Sequence, residues 1–171
     1  MLADVDAWVS TLLDFYGLPD DVPGLAAHRG QGSPQAQVLA VQIAIQAAIQ
    51  AAIQTALAAD IGPTQRFLPF LALHEFEAWL FAAPAVVSEH FGSVELAAQL
   101  SAVIPNAGGP EAINHGPHTH PKAQLRQAWP SYKETSDGPT LLAKIGIPVV
   151  RARCPHFAAW LDQLEALGRA A

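Results

Sequence analysis

Two carboxylates beside an imidazole, in the run His74-Glu75-Phe76-Glu77, are the residues best suited to chemistry in this chain. They follow the apolar run Arg66–Leu73 and lead into Ala78-Trp79-Leu80-Phe81, so the run reads as the first turns of a helix after a strand. On a helix His74 and Glu77 share one face, while Glu75 points about 100° away. Such a junction can bind a hard divalent cation or position a general base, with His74, Glu75 and Glu77 as the candidate catalytic groups. The second histidine of the zincin pattern is missing, which disfavours zinc proteolysis. A plain helix start fits the same residues, with acids placed well on the dipole and His74 as a cap or core donor.

Asp14 closes a second apolar run, Trp8–Phe15, ahead of the turn Tyr16-Gly17-Leu18-Pro19. A carboxylate just past the end of a buried strand sits where open α/β sheets bind ligands. Asp14, Glu75 and Glu77 together supply two or three oxygen ligands, the kind magnesium prefers, although Asp14 equally suits a turn cap. His115, His118 and His120 alternate in a Pro/Gly loop, as a transition-metal site or a mobile His-rich loop, and nothing four residues onward completes a ligand set. Cys154 near His156 has the types of a nucleophile and its base, without a third partner or oxyanion motif. Phe157, Trp160, Leu161 and Leu164, at helical spacing, point to docking instead. Lys122, Arg126, Arg151 and Arg153 can contact phosphates, but no aromatic residues interleave them as in single-strand binders.

The elements that must position these groups are few. The runs 8–15 and 66–73 are the two clear strands, and Pro69 in the second argues for an edge or a bulge. Residues 16–34, rich in Gly and Pro, read as a loop. Residues 35–60 read as an Ala/Gln-rich helix with a period-four repeat. Four residues advance a helix by about 400°, so the stripe Ile45, Ile49, Ile53, Leu57 drifts about 40° per repeat and stays on one broad face. Further helices are expected at 84–91, 94–103, 121–129, 138–145 and 155–168, with a long loop over 104–121.

The chain has 171 residues, 51% apolar and 14% charged, which suits one domain with a real core and excludes wholesale disorder. Apolar stretches fall short of the ~18 residues a membrane span needs, and Asp4 and Asp6 stand where a signal peptide is basic. A single cysteine cannot form an internal disulfide, so a reducing cytoplasm is the expected home. Of the net charge of -6, residues 1–111 carry two Lys/Arg against eleven acids (-9), and residues 112–171 carry seven against four (+3). Acids thus concentrate where a metal is expected, and bases where a phosphate backbone can lie.

Four blocks resemble one family in order and spacing. They are Ser10–Pro19 with Pro23-Gly24; Arg66–Phe81; Pro110-Glu111-Ala112-Ile113-Asn114-His115-Gly116-Pro117; and Ile145-Gly146-Ile147 through Cys154-Pro155-His156-Phe157 to Trp160-Leu161. The set, covering nearly the whole chain, resembles the bacterial domain-of-unknown-function family 4276, which is related to Toprim domains. The resemblance makes Asn114, Gly116, Cys154 and His156 motif positions. It implies a helix-rich Toprim-like α/β fold with a small, mostly parallel sheet, as a single domain over 1–171. Residues 1–83 would form the partial sheet and acidic core, and 84–171 the helical part. It further implies Mg2+-dependent phosphoryl chemistry, as in a nuclease, with Asp14 as the strand-end Asp, and an ATPase partner of ABC/SMC-like type in a phage-defence or DNA-processing system. The family's opening strand with its Glu-Gly-x-Thr-Glu-like motif has no match before Asp14, and His115 stands where the family has Asp. The expectation is therefore an N-terminally incomplete domain, inactive as a nuclease by itself. The rival expectation is a non-catalytic interaction or remnant domain.

Overall fold

A computed structural model describes residues 8–15, 17–57, 67–68, 70–105, 109–113 and 118–170. The chain divides into two compact units, Met1–Leu73 and His74–Ala171.

In the first unit the two apolar runs pair in parallel, but each splits into two short strands. β1 (Val9–Ser10) pairs with β3 (Phe67–Leu68), and β2 (Leu13–Asp14) with β4 (Leu71–Ala72), placing Asp14 opposite Ala72. Thr11 explains the interruption: its hydroxyl accepts the Phe70 N–H at 3.0 Å and donates to the Phe70 carbonyl at 3.2 Å, taking over from the backbone ladder. The ladder resumes where the Leu13 N–H meets the Phe70 carbonyl and the Phe15 N–H meets that of Ala72. Pro69 lies outside the described residues.

Burial in the strands corrects one expectation. Trp8, Leu12 and Leu13 are 43%, 50% and 46% exposed, so the first run is not a buried strand along its length. A pair of strands has few covered faces, and α2 packs on β4. The core of this unit is Phe15, Leu18, Leu25, Val38, Val41, Leu71 and Leu73. α1 (Leu25–His28) is a single turn within the expected loop, and α2 spans Pro34–Leu57. Of the Ile45/Ile49/Ile53/Leu57 stripe, Ile45 packs against the core; the other three side chains lie outside the described set.

The second unit is helical: α3 (Glu77–Leu80), α4 (Pro84–Phe91), α5 (Val94–Ala102), a 3-10 turn (Gly109–Ala112), α6 (Pro121–Ala128), α7 (Asp137–Ile145), α8 (Ile147–Arg153) and α9 (Pro155–Ala170). Proline opens α4, α6 and α9, where its missing N–H is no loss and its fixed φ suits the first turn. α8, which has no counterpart in the sequence reading, is a separate short helix because Gly146 holds φ at 79° and breaks the run from α7. All four residues of α3 are buried, and α3 packs against α6, α7 and the 3-10 turn. The architecture is α/β, helix-rich, with a small parallel sheet. Among the described residues no helix is long and apolar enough to cross a membrane.

Candidate functional site

The helix after the acidic turn starts later than the spacing suggests. The Ala78 N–H bonds to the Glu75 carbonyl and the Trp79 N–H to that of Phe76, both at 3.0 Å. These three-residue bonds keep His74, Glu75 and Phe76 in a turn, and α3 begins at Glu77. His74 and Glu77 therefore do not share a helical face, although both are buried.

Placing Glu77 at the start of a helix packed on three sides buries its side chain completely. The Tyr132 hydroxyl donates to Glu77 Oε1 at 3.3 Å, while Oε2 has no hydrogen-bond partner among the described residues. Burial pushes the Glu77 carboxyl above its ordinary range, and Glu75 and Glu134 add to that; its own backbone N–H and the Lys122 charge pull the other way. Tyr132 is raised as well, by burial and then by Glu77, so it remains a donor. Gly138, in the first turn of α7, leaves the room this pair needs. A Cβ there would lie 2.5 Å from Phe76 Cζ and 2.9 Å from the Tyr132 oxygen.

Glu75 faces a different environment. Lys122 Nζ stands 2.7 Å from its Oε1, and His120 Nδ1 3.0 Å from its Oε2. Lys122 also reaches Glu134 Oε1 at 3.1 Å, which Arg126 shares at 3.0 Å. Partial burial works against the Lys122 charge, but its hydrogen bonds to Glu75 and Glu134 outweigh it and the ammonium is held above its usual range. The side chains of Glu75, Lys122 and His120 remain 22–27% exposed, so a ligand can touch them, whereas Glu77 and Tyr132 stand behind.

A second buried acid, Glu111, is fully engaged. Its two oxygens accept the N–H groups of His156 at 2.8 Å and Phe157 at 3.1 Å, the first free donors of α9 after Pro155. Gly109 allows the 3-10 turn carrying Glu111 to close in, since a Cβ there would sit 2.5 Å from the Arg153 carbonyl. Phe157 packs its ring on Trp79 at 4.7 Å. Cys154, beside this junction, is wholly buried, and burial followed by the Glu111 charge pushes its thiol up, contrary to what a nucleophile needs. The block Cys154–Phe157 is thus the docked start of α9.

The other expected site residues fall in both units. Asp14 belongs to the first unit, half-buried at the end of β2, and Glu75 and Glu77 belong to the second. Of the four basic residues, Lys122 and Arg126 join the acidic network, and Arg151 binds Asp162 and Glu165 along α9; Arg153 is exposed. Asn114, His115 and Gly116 lie outside the described residues, and His118 is exposed. Tyr132, Glu134 and the role of Glu111 were not foreseen. Tyr132 meets Glu77 across 55 positions and Glu111 meets His156 and Phe157 across 45 and 46, distances that no local spacing signals, while Glu134 meets Lys122 and Arg126 across 12 and 8. A cavity of about 370 Å³ beside α5 and α6, lined by Gln99, Leu100, Val103, Gln124, Gln127 and Ala128, carries no titratable group.

The family model described as DUF4276, a domain of unknown function, matches residues 2–165. The chain belongs to the DUF4276 family. That match takes in both units of this DUF4276 protein, including β2 with Asp14, the acidic turn and the α8–α9 junction. No curated protein and no solved structure matches it.

Proposed function

We propose that this DUF4276 chain is a phosphodiester-processing, nuclease-type module of a bacterial defence or DNA-processing system, working with Mg2+ and an ATPase of ABC/SMC-like type. The observation that carries the reading is Glu77: a completely buried carboxyl with one oxygen that has no hydrogen-bond partner among the described residues, beside a part-exposed Glu75–Lys122–His120 cluster. Leaving such an atom unpaired costs about 1–3 kcal/mol, and folds tolerate that chiefly where the group serves chemistry. Lys122 and His120 can meet phosphate oxygens, and Glu75 can orient a water. Glu77 and Tyr132 hold the charge and proton balance behind them.

Magnesium fits this network poorly as it stands. It needs carboxylate oxygens, and both oxygens of Glu75 are taken by Lys122 and His120, while the nearest oxygen of Glu134 is taken by Lys122 and Arg126. Among the described residues no group of three or more His, Cys, Asp or Glu side chains could hold a metal ion; when bound, such an ion would neutralise phosphate charge. The ion pairs that close Glu75 also favour a second reading, a non-catalytic interaction domain in which the turn is a folding motif.

Cleavage of single- and double-stranded nucleic acid by the full chain with its ATPase partner in MgCl2 separates the two. Glu75→Gln and Lys122→Gln should each abolish cleavage without unfolding the chain. Cleavage that survives both substitutions, or that the parent chain never shows, leaves the interaction domain.

A further inference from the structure

We infer that His120 is the general base of this centre, its Nε2 taking the proton of the attacking water while Glu75 holds the ring by Nδ1. The inference rests on the phosphodiester reading for its reaction and on the structure for its geometry.

The imidazole is fixed from both sides. Its backbone, at φ -69° and ψ 159°, lies in the extended region that a following proline imposes, and Pro121 then opens α6. The His120 carbonyl accepts the Gln124 N–H at 3.0 Å, which ties the residue to the first turn of that helix. Its ring meets Glu75 through Nδ1 at 3.0 Å. Glu75 is held in turn, because Lys122 Nζ stands 2.7 Å from its other oxygen. With both oxygens engaged, Glu75 acts on a substrate through the ring it orients. A carboxylate only accepts, so Nδ1 is the donor, and a neutral ring leaves the lone pair on Nε2. That nitrogen has no hydrogen-bond partner among the described residues, and the side chain is 27% exposed. A carboxylate that sets the tautomer and stabilises the imidazolium formed during reaction is the arrangement general-base histidines use. Lys122, two residues further on, supplies positive charge for a phosphate oxygen.

The step balances without a further reactant. Nε2 accepts a proton from water as the water oxygen bonds to phosphorus. The P–O bond to the leaving oxygen breaks, that oxygen departs with the electron pair, and Nε2 returns the proton to it. Water is added across one phosphodiester bond, and His120 ends neutral.

The test is the same cleavage assay, on the full chain with its ATPase partner in MgCl2, joined to nitrogen-15 NMR of the His120 ring. His120→Asn places an amide donor where Nδ1 stands, so it can keep the Glu75 contact while lacking a base at Nε2. It should stay folded and cleave at least about a hundredfold more slowly. Free imidazole should restore part of the cleavage lost in His120→Ala, as it would not for a residue that only supports the fold. In alkaline buffer the parent ring should carry its hydrogen on Nδ1, and Glu75→Ala should lose that preference. Cleavage at the parent rate by His120→Asn, or a parent ring protonated on Nε2, overturns the inference and leaves the phosphodiester reading standing. A parent chain that never cleaves removes that reading, and the inference with it.

Discussion

The second unit buries two glutamates, and they are buried in opposite ways. Glu111, in the 3-10 turn, gives both oxygens to the opening N–H groups of α9. Glu77, at the start of α3, has one long bond from Tyr132 and an oxygen without a hydrogen-bond partner among the described residues. In both cases burial is the largest influence and raises the carboxyl above its ordinary range. What differs is the compensation: Glu111 is repaid by a helix terminus that itself needs an acceptor, and Glu77 is not. A buried carboxylate that satisfies its surroundings is part of the scaffold. One that its surroundings leave unsatisfied is retained for something other than stability.

The sharpest way to break this contrast is to remove Glu111. Glu111→Ala strands the buried Phe157 N–H and the part-buried His156 N–H and uncaps a 16-residue helix, and should lower the unfolding free energy by about 3 kcal/mol in urea denaturation. An unchanged midpoint would mean that α9 does not depend on this acid. Gly138→Ala comes next. The added methyl must displace the Phe76 ring or the Tyr132 hydroxyl, for a loss of about 1–3 kcal/mol in the same measurement. Near-UV circular dichroism should report the disturbed tyrosine; a variant as stable as the parent would show that the pocket around Glu77 is loose. Cys154 should resist iodoacetamide at neutral pH until the chain unfolds, since burial keeps its thiol protonated. Rapid labelling of the native chain would contradict the docked junction.

The smallest effect is expected at Arg151, which ties α8 to Asp162 and Glu165 on the surface. Its hydrogen bonds hold the Glu165 carboxyl below the usual range. A carboxyl lowered in the folded state stabilises at neutral pH, and loses that contribution only as the pH falls through the lowered value. Arg151→Gln should therefore shift the thermal midpoint slightly at neutral pH, and the difference from the parent should vanish in strong acid. A difference that grows on acidification would reverse the assignment.

Much of the helical unit was legible because its signals are local. Prolines at 84, 121 and 155 announce helix starts, and apolar spacing carries each helix onward. The strands were located but not their form, since a hydroxyl at Thr11 bonding Phe70 across 59 positions splits a run that composition reads as continuous. The acidic turn was recognised from its residue types, but its helical register was not. That register depends on turn bonds at Glu75 and Phe76 rather than on side-chain periodicity. Lys122 was read as a phosphate contact by its charge alone; only the fold reveals that Glu75 and Glu134 already hold it.

Glu77 is kept despite the fold and not for it. Denaturant unfolding of Glu77→Gln at neutral pH, run beside Glu111→Gln, tests this most directly. The amide keeps an acceptor for Tyr132 and removes the need to bury a charge, so Glu77→Gln should unfold at or above the parent midpoint while Glu111→Gln falls well below it. A Glu77→Gln chain destabilised as much as Glu111→Gln would make the two acids alike, both scaffold, and the contrast would be gone.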